Sequence, residues 1–185
     1  MDNFMEEVVT KRNRGMQTAL FVIANILWVL LALYAFLLLQ GLSMALAEHG
    51  FSTALILYIV EFLLFGGAAL LLFLRRDRIK TEYEYTFTNG QMDFAQVFNN
   101  KKRKALGTMN IRNVEACGLV SSGSFQRYIN QQGIKRTNWF LNRDAELLYF
   151  YFQKEGAKRI IIIEPSADMI ALIKKYLPQG IWQNN

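Results

Sequence analysis

Two uninterrupted apolar stretches decide what this chain can fold into. Ala19 to Leu39 has Asn25 as its only conventionally polar side chain, and Thr53 to Leu74 has Glu61 as its only charge. At about 1.5 Å rise per residue, each is long enough to cross a hydrocarbon core of roughly 30 Å. Neither carries the polar stripe of a surface helix in a soluble protein. The expectation is a transmembrane helical hairpin over 18–75, an N-terminal segment over 1–17, and a separate domain over 76–185.

The flanks orient the hairpin. Lys11, Arg12 and Arg14 precede the first stretch, and Arg75, Arg76, Arg78 and Lys80 follow the second. The linker from Gln40 to Ser52 contains Glu48 and His49 but no Lys or Arg. The positive-inside rule therefore predicts a multi-pass protein of the cytoplasmic (inner) membrane, with both termini in the cytoplasm and a short external turn. A cleaved signal peptide is the competing reading, since Ala45-Leu46-Ala47 fits a small-residue cleavage site. Its apolar region, however, is far longer than the roughly 7–15 residues such signals use.

Polar groups inside the stretches are candidate intramembrane contacts. A carboxylate at bilayer depth is disfavoured by several kcal/mol or more. Glu61 is thus an ion or proton site, a partner's counter-charge, or a protonated group bonded within the helix pair. Counting back from the cytoplasmic ends places it near Leu31 and Ala32. The same count sets Asn25 level with Gly67 and Ala68. Gly66, Gly67, Ala68 and Ala69 read as the packing face of the second helix, where small residues admit close backbone approach.

The remainder is a different kind of chain. From Arg75 onward it holds 18 Lys and Arg against 10 Asp and Glu. Thr81 to Thr88 alternates Tyr83, Tyr85 and Phe87 against Glu82, Glu84 and Thr86. Asn89-Gly90 then forms a two-residue turn, and Gln91 to Phe98 returns with Met92, Phe94 and Phe98 on one face. Lys101 to Met109 and Ile111 to Val120 read as further strands, with weaker candidates at Phe125 to Gln131 and Arg136 to Leu141. Glu146 to Gln153 and Lys158 to Glu164 follow, turned by Glu155-Gly156. The run Tyr149-Phe150-Tyr151-Phe152 reads as a strand buried on both faces. Then the period changes. Ser166 is a good N-cap, Met169, Leu172, Ile173, Tyr176 and Leu177 recur at helical spacing, and Pro178 stops the helix.

Two N-terminal membrane helices, a strand-rich domain and a closing helix resemble the membrane-anchored bacterial pleckstrin-homology-like (PH-like) proteins. The stretches that carry the resemblance are Tyr85-Thr86-Phe87-Thr88-Asn89-Gly90, Asn110-Ile111-Arg112-Asn113-Val114, and Ile160 to Glu164 leading through Pro165-Ser166 into the helix. The resemblance implies an α+β membrane protein whose mostly antiparallel β domain is a partly open seven-stranded barrel with a C-terminal capping helix. PH-like folds host many binding functions. Phosphoinositide-binding members place basic residues around the first strand pair. Here Asn89-Gly90 carries none, so that ligand is not carried over.

Chemistry is sparse. One Cys and one His exclude a disulfide framework and a zinc cluster. No Walker A loop or dinucleotide-binding glycine motif is present. Cys117 and His49 fall on opposite sides of the predicted membrane. Tail carboxylates are scattered singly, so no acid/base pair can be assigned. No catalytic, cofactor-binding or metal-binding residue is expected.

Two surfaces remain as lipid or partner candidates. Lys101, Lys102, Arg103 and Lys104 form the densest charge run, where each base near an anionic leaflet contributes about 1 kcal/mol. The alternative is a solvated turn. Lys135, Arg136, Trp139, Phe140 and Arg143 form an aromatic segment between basic residues, which either meets a membrane or protein or serves as a strand of the core. Nucleic acid is disfavoured for a membrane-tethered domain without a nucleic-acid motif. Two functional readings follow. The first is a non-enzymatic interaction module that presents a basic PH-like domain to a protein partner, a second copy or anionic lipid headgroups. The second is a small accessory subunit of a transporter or membrane enzyme, with Glu61 and Gly66–Ala69 as the working surface.

Overall fold

The computed structural model describes residues 3–51 and 53–184, the side chains of His49 and Ala54 excepted, and divides into two compact units. Ser52, at the end of the expected external turn, and the His49 side chain, set against Cys117 above, lie outside the described residues. One unit is Asn13–Lys80; the other joins Met1–Arg12 to Thr81–Asn185.

The first unit is a pair of helices, α1 (Arg14–His49) and α2 (Thr53–Arg75), followed by a 3-10 turn at Arg76–Ile79. Both helices are long and apolar enough to cross a membrane. Asn13 caps α1 by accepting from the Met16 amide at 3.1 Å. The stretch Gln40 to Glu48, expected as an external turn, is instead the last part of α1. It contains no proline and is rich in Leu, Ala and Met, which are good helix formers. The helix stops at Gly50, whose φ of 62° favours glycine and whose amide bonds the Leu46 carbonyl at 3.2 Å.

Side chains fix how α1 and α2 pair. Trp28 meets Phe73 edge-on at 5.2 Å, Tyr34 meets Phe65 at 4.7 Å, and Ala35, Leu38, Leu55 and Ala69 are buried between the helices. A Cβ on Gly66 would lie 3.8 Å from that of Ala35, and one on Gly41 would lie 3.1 Å from the Tyr58 ring. This register is about two helical turns away from the one obtained by aligning the ends of the apolar runs. The reason is that α1 begins at Arg14, five residues before the apolar run.

The second unit contains two sheets. Strands β1 (Phe4–Val9), β2 (Thr81–Thr88), β3 (Gln91–Phe98) and β4 (Lys102–Asn110) form a four-stranded antiparallel sheet in that order. The other sheet has β5 (Ala116–Leu119), β6 (Lys135–Trp139), β7 (Leu148–Lys154), β8 (Ala157–Ile163) and β9 (Trp182–Gln183), ordered β6-β8-β7-β5-β9. Pairing is antiparallel except for β6 with β8 and β5 with β9. Helix α3 (Gly123–Ile129) sits between β5 and β6 in sequence, and α4 (Ala167–Tyr176) follows β8. Instead of the partly open seven-stranded barrel expected, the unit has separate sheets of four and five strands, and β4 and β6 do not pair.

The main core lies between the sheets. Tyr85, Phe87, Met92 and Phe94 from the first sheet meet Leu148, Phe150, Ile161 and Ile163 from the second, and α4 adds Met169 and Ile173. The Ser166 hydroxyl caps α4 by accepting from the Met169 amide at 3.2 Å. A second cluster covers the far face of the second sheet, where Phe125 from α3 packs on Ala116, Tyr149, Tyr151, Ile160 and Ile162. Alternate residues of β7 and β8 therefore face two different cores. This accounts for the unbroken apolar runs in both strands.

Two elements differ from the expected ones. The segment Phe125 to Gln131, expected as a strand, contains α3, because Phe125, Tyr128 and Ile129 recur at helical spacing and turn together onto the second sheet. The N-terminal segment, expected to be separate from the β domain, supplies β1. Its register runs from Phe4 opposite Thr88 to Val9 opposite Tyr83.

A buried amide fastens the end of that segment. Asn142, 7% exposed, donates through Nδ2 to the Thr10 carbonyl at 3.0 Å and to Glu164 Oε1 at 2.7 Å, and its Oδ1 accepts from the Arg12 amide at 2.9 Å. Glu164 Oε2 accepts in turn from the amides of Leu141 and Asn142. Asn142→Ala removes these three part-buried hydrogen bonds, one of them to a carboxylate, and is expected to cost about 2–3 kcal/mol, lowering the unfolding midpoint by roughly 10 °C. The exposed control Asn138→Ala is expected to change stability by no more than about 0.5 kcal/mol. Thermal unfolding followed by circular dichroism compares the two.

Candidate functional site

The basic run occupies the edge of the first sheet. Lys101 lies in a turn formed by Asn99 and Asn100, with φ of 51° and 53°, and Lys102, Arg103 and Lys104 begin β4. All four are exposed. The register separates them. Arg103 pairs with Val97, while Lys102 and Lys104 pair with Phe98 and Gln96 on the opposite face. Arg103 Nε is 2.6 Å from Glu84 Oε2, so its charge is met within the sheet. Since β4 has a neighbour on one side only, these residues also protect an unpaired strand edge from pairing with another chain.

The aromatic segment does not form an exposed tip. Trp139 turns toward the core between the sheets, with its ring 4.8 Å from that of Phe94, and its carbonyl accepts from the Tyr85 hydroxyl. Phe140 turns the other way, onto the α3 side of the second sheet. Strand alternation divides two adjacent aromatics between two cores. Lys135, Arg136 and Arg143 remain exposed, and Arg136 Nε donates to Asn138 at 2.9 Å.

Within the helical unit, Asn25 does not lie level with Gly67 and Ala68. It donates to the Phe21 carbonyl at 2.6 Å and accepts from Arg76 Nη1 at 2.6 Å. The Arg76 guanidinium also sits over the rings of Phe73 and Trp28, at 4.5 and 5.2 Å, and Lys80 sits over Phe21 at 4.6 Å. Each such cation–π contact contributes about 0.5–2 kcal/mol, depending on desolvation. Gly66 packs against Ala35, whereas a Cβ on Gly67 would meet nothing within 4 Å. Glu61, expected near Leu31 and Ala32, lies instead between the levels of the Tyr34–Phe65 and Gly41–Tyr58 contacts. It is half-buried, and among the described residues it has no hydrogen-bond or ion-pair partner.

One constellation was not singled out from the sequence. Where β4 and β6 fail to pair, a cleft of about 120 Å³ is lined in part by Thr137, Trp139, Lys154 and Arg159. The signal was the alternation of β7 and β8. It places Lys154 and Arg159 on the same face as Phe150, Phe152, Ile161 and Ile163. Detecting it required knowing which two strand edges stay open.

These residues were compared with known proteins. The family model for a bacterial PH-like domain (DUF6106) matches residues 1–183. The chain belongs to this bacterial PH-like domain family. The match includes the helical pair as well as the β unit, so the inserted helices are part of the PH-like family pattern. No curated protein and no solved structure matches the chain.

The PH-like unit buries its one thiol. Cys117 is fully buried on β5, and burial pushes its thiol well above the usual range, with Lys174 only partly opposing the shift. A thiol held neutral and out of solvent is a poor nucleophile. Cys117 is expected to resist maleimide at pH 8 in the folded chain and to react fully after denaturation. Mass spectrometry of the two samples checks this, and rapid labelling of the folded chain contradicts it.

Proposed function

We propose that this protein is a non-enzymatic, membrane-anchored binding module. The helical pair spans the inner membrane as a hairpin, and the PH-like unit stands at the cytoplasmic face, where it meets a protein partner or anionic lipid headgroups. The observation that supports this best is the β1–β2 ladder. The chain leaves the β unit after Val9 and returns just before Tyr83, its register partner. A membrane-spanning segment between two paired residues must cross an even number of times. Lys11, Arg14, Arg75 and Arg78 then lie beside the cytoplasmic leaflet, as the distribution of positive charge favours. The ladder also argues against signal-peptide cleavage, which would strip β1 from its sheet. Tethering raises the local concentration of the binding unit, so weak contacts to the membrane or its proteins suffice.

Cysteine labelling in intact cells tests the topology. Phe51 is 97% exposed between the two helices. A Phe51→Cys variant is expected to react with a membrane-impermeant maleimide from outside, and Lys101→Cys only after permeabilisation. External labelling of Lys101→Cys, or release of the chain by alkaline carbonate, sinks the reading.

A second reading has its own observation. Glu61 finds no polar partner within the helical unit, although a carboxyl group at bilayer depth is costly. This favours an accessory subunit whose partner meets Glu61. In a detergent pull-down, Glu61→Gln is expected to lose such a partner while Lys102→Ala with Lys104→Ala retains it. The first reading predicts the reverse.

A further inference from the structure

The cleft between β4 and β6 has a chemistry of its own. Leu106, Trp139 and Phe152 supply apolar walls, and Thr137, Lys154 and Arg159 supply donors. Lys135, the register partner of Arg159 on β6, adds a third positive charge to that face. Among the described residues, the side chains of Lys135, Lys154 and Thr137 have no hydrogen-bond or ion-pair partner. Arg159 has only a loose one, with Nη2 3.9 Å from a Glu155 carboxylate whose side chain is 75% exposed.

Arg159 Nε is also buried without a hydrogen-bond partner, and it is the one such side-chain atom among the described residues. A buried N–H without an acceptor is costly and calls for an explanation. Here the orphaned donor belongs to a cation at the end of an otherwise apolar sheet face, beside a second cation and a free hydroxyl.

We infer that this cleft binds a phosphoryl group, held by Arg159, Lys154 and Thr137. A guanidinium presents a planar fork that matches two oxygens of a phosphate, and an ammonium and a hydroxyl complete a tetrahedral set. Turning the guanidinium toward the cleft gives Nε–H the acceptor it lacks. The apolar walls lower the local dielectric on one side and strengthen the charge-assisted bonds. The volume admits one phosphoryl group and little else, so the ligand is a free phosphate or the terminal phosphate of a headgroup. The site is distinct from the Lys101 to Lys104 run. The inference rests on the proposed reading only in treating the β unit as a binding unit; it does not need the membrane orientation.

The test is equilibrium dialysis of radiolabelled inorganic phosphate against the intact chain in phosphatidylcholine nanodiscs, repeated in discs that also contain phosphatidic acid. Saturable binding is expected in phosphatidylcholine. Arg159→Gln is expected to weaken it by about tenfold or more and Lys154→Ala by several-fold, with Lys175→Ala, on α4 and outside the cleft lining, unchanged. If phosphatidic acid abolishes phosphate binding, the ligand is a lipid headgroup; if binding persists, it is a free phosphate. Lys154→Ala lies at an exposed strand end and keeps the test valid if Arg159→Gln fails to fold. Absence of saturable binding in phosphatidylcholine discs, or equal binding by wild type and Lys154→Ala, overturns the inference. Such a result leaves the labelling test of topology untouched, so the two can fail separately.

Discussion

The pairing of β1 with β2 is the constraint on which the rest depends. Two strands that the helical pair separates in sequence form one antiparallel ladder, so the pair is an insertion into a sheet rather than a leader placed before it. The ladder alone is an edge pairing six residues long. Its hold is reinforced at both ends. Asn142 and Glu164 secure Thr10 and Arg12, and Asn3 exchanges hydrogen bonds with Asn89 at the Asn89-Gly90 turn. Glu7 adds a third tie by accepting from the Ser166 amide that opens the α4 cap. Charged and amide groups seat this strand together with Met5 and Val9, which pack into the main core, and they set where the chain departs and returns.

The second sheet shows how much of the stability lies elsewhere. Its central strands carry side chains into two cores, one closed by α4 and the first sheet, the other by α3. Burying each large apolar side chain contributes about 1.5–3 kcal/mol, and β7 and β8 together hold six that are fully inaccessible. The first sheet is apolar on one face only, and its outer face is covered by long polar side chains such as Arg103 and Glu84. The sheets therefore differ in how much apolar area they bury. The open edge between them is where polar groups reach the end of the core, and Tyr85 and Trp139 link the sheets beside it through a hydroxyl that burial keeps protonated.

Local physics made much of this legible. The hairpin Thr81 to Phe98 is announced by alternation and by a turn whose two residues both take positive φ. The α4 helix is announced by its cap and its spacing. The doubly buried β7 was readable because a strand with cores on both faces has no polar alternation to show. By contrast, β1 reads poorly, because both faces are mixed: Phe4, Glu6 and Val8 point outward, and Met5, Glu7 and Val9 point inward. Neither face is uniform, and the inward carboxylate of Glu7 is held by a distant contact with the Ser166 amide. The strand β9 is only two residues long and exists through its parallel neighbour. The helix register is not legible in the apolar runs, because they mark solvent preference, while Arg76 and Asn25 mark where the helices meet.

Sequence alone determined that this chain carries two helices able to cross a membrane and a basic, strand-rich unit with a closing helix. These follow from period, length and composition, which act between near neighbours. Tertiary structure decided that the N-terminal segment belongs to the sheet, that the two sheets stay open between β4 and β6, and that Arg159 reaches the end of a core with its Nε lacking an acceptor. Those outcomes depend on pairings between residues far apart in the chain, whose free energy no local pattern records.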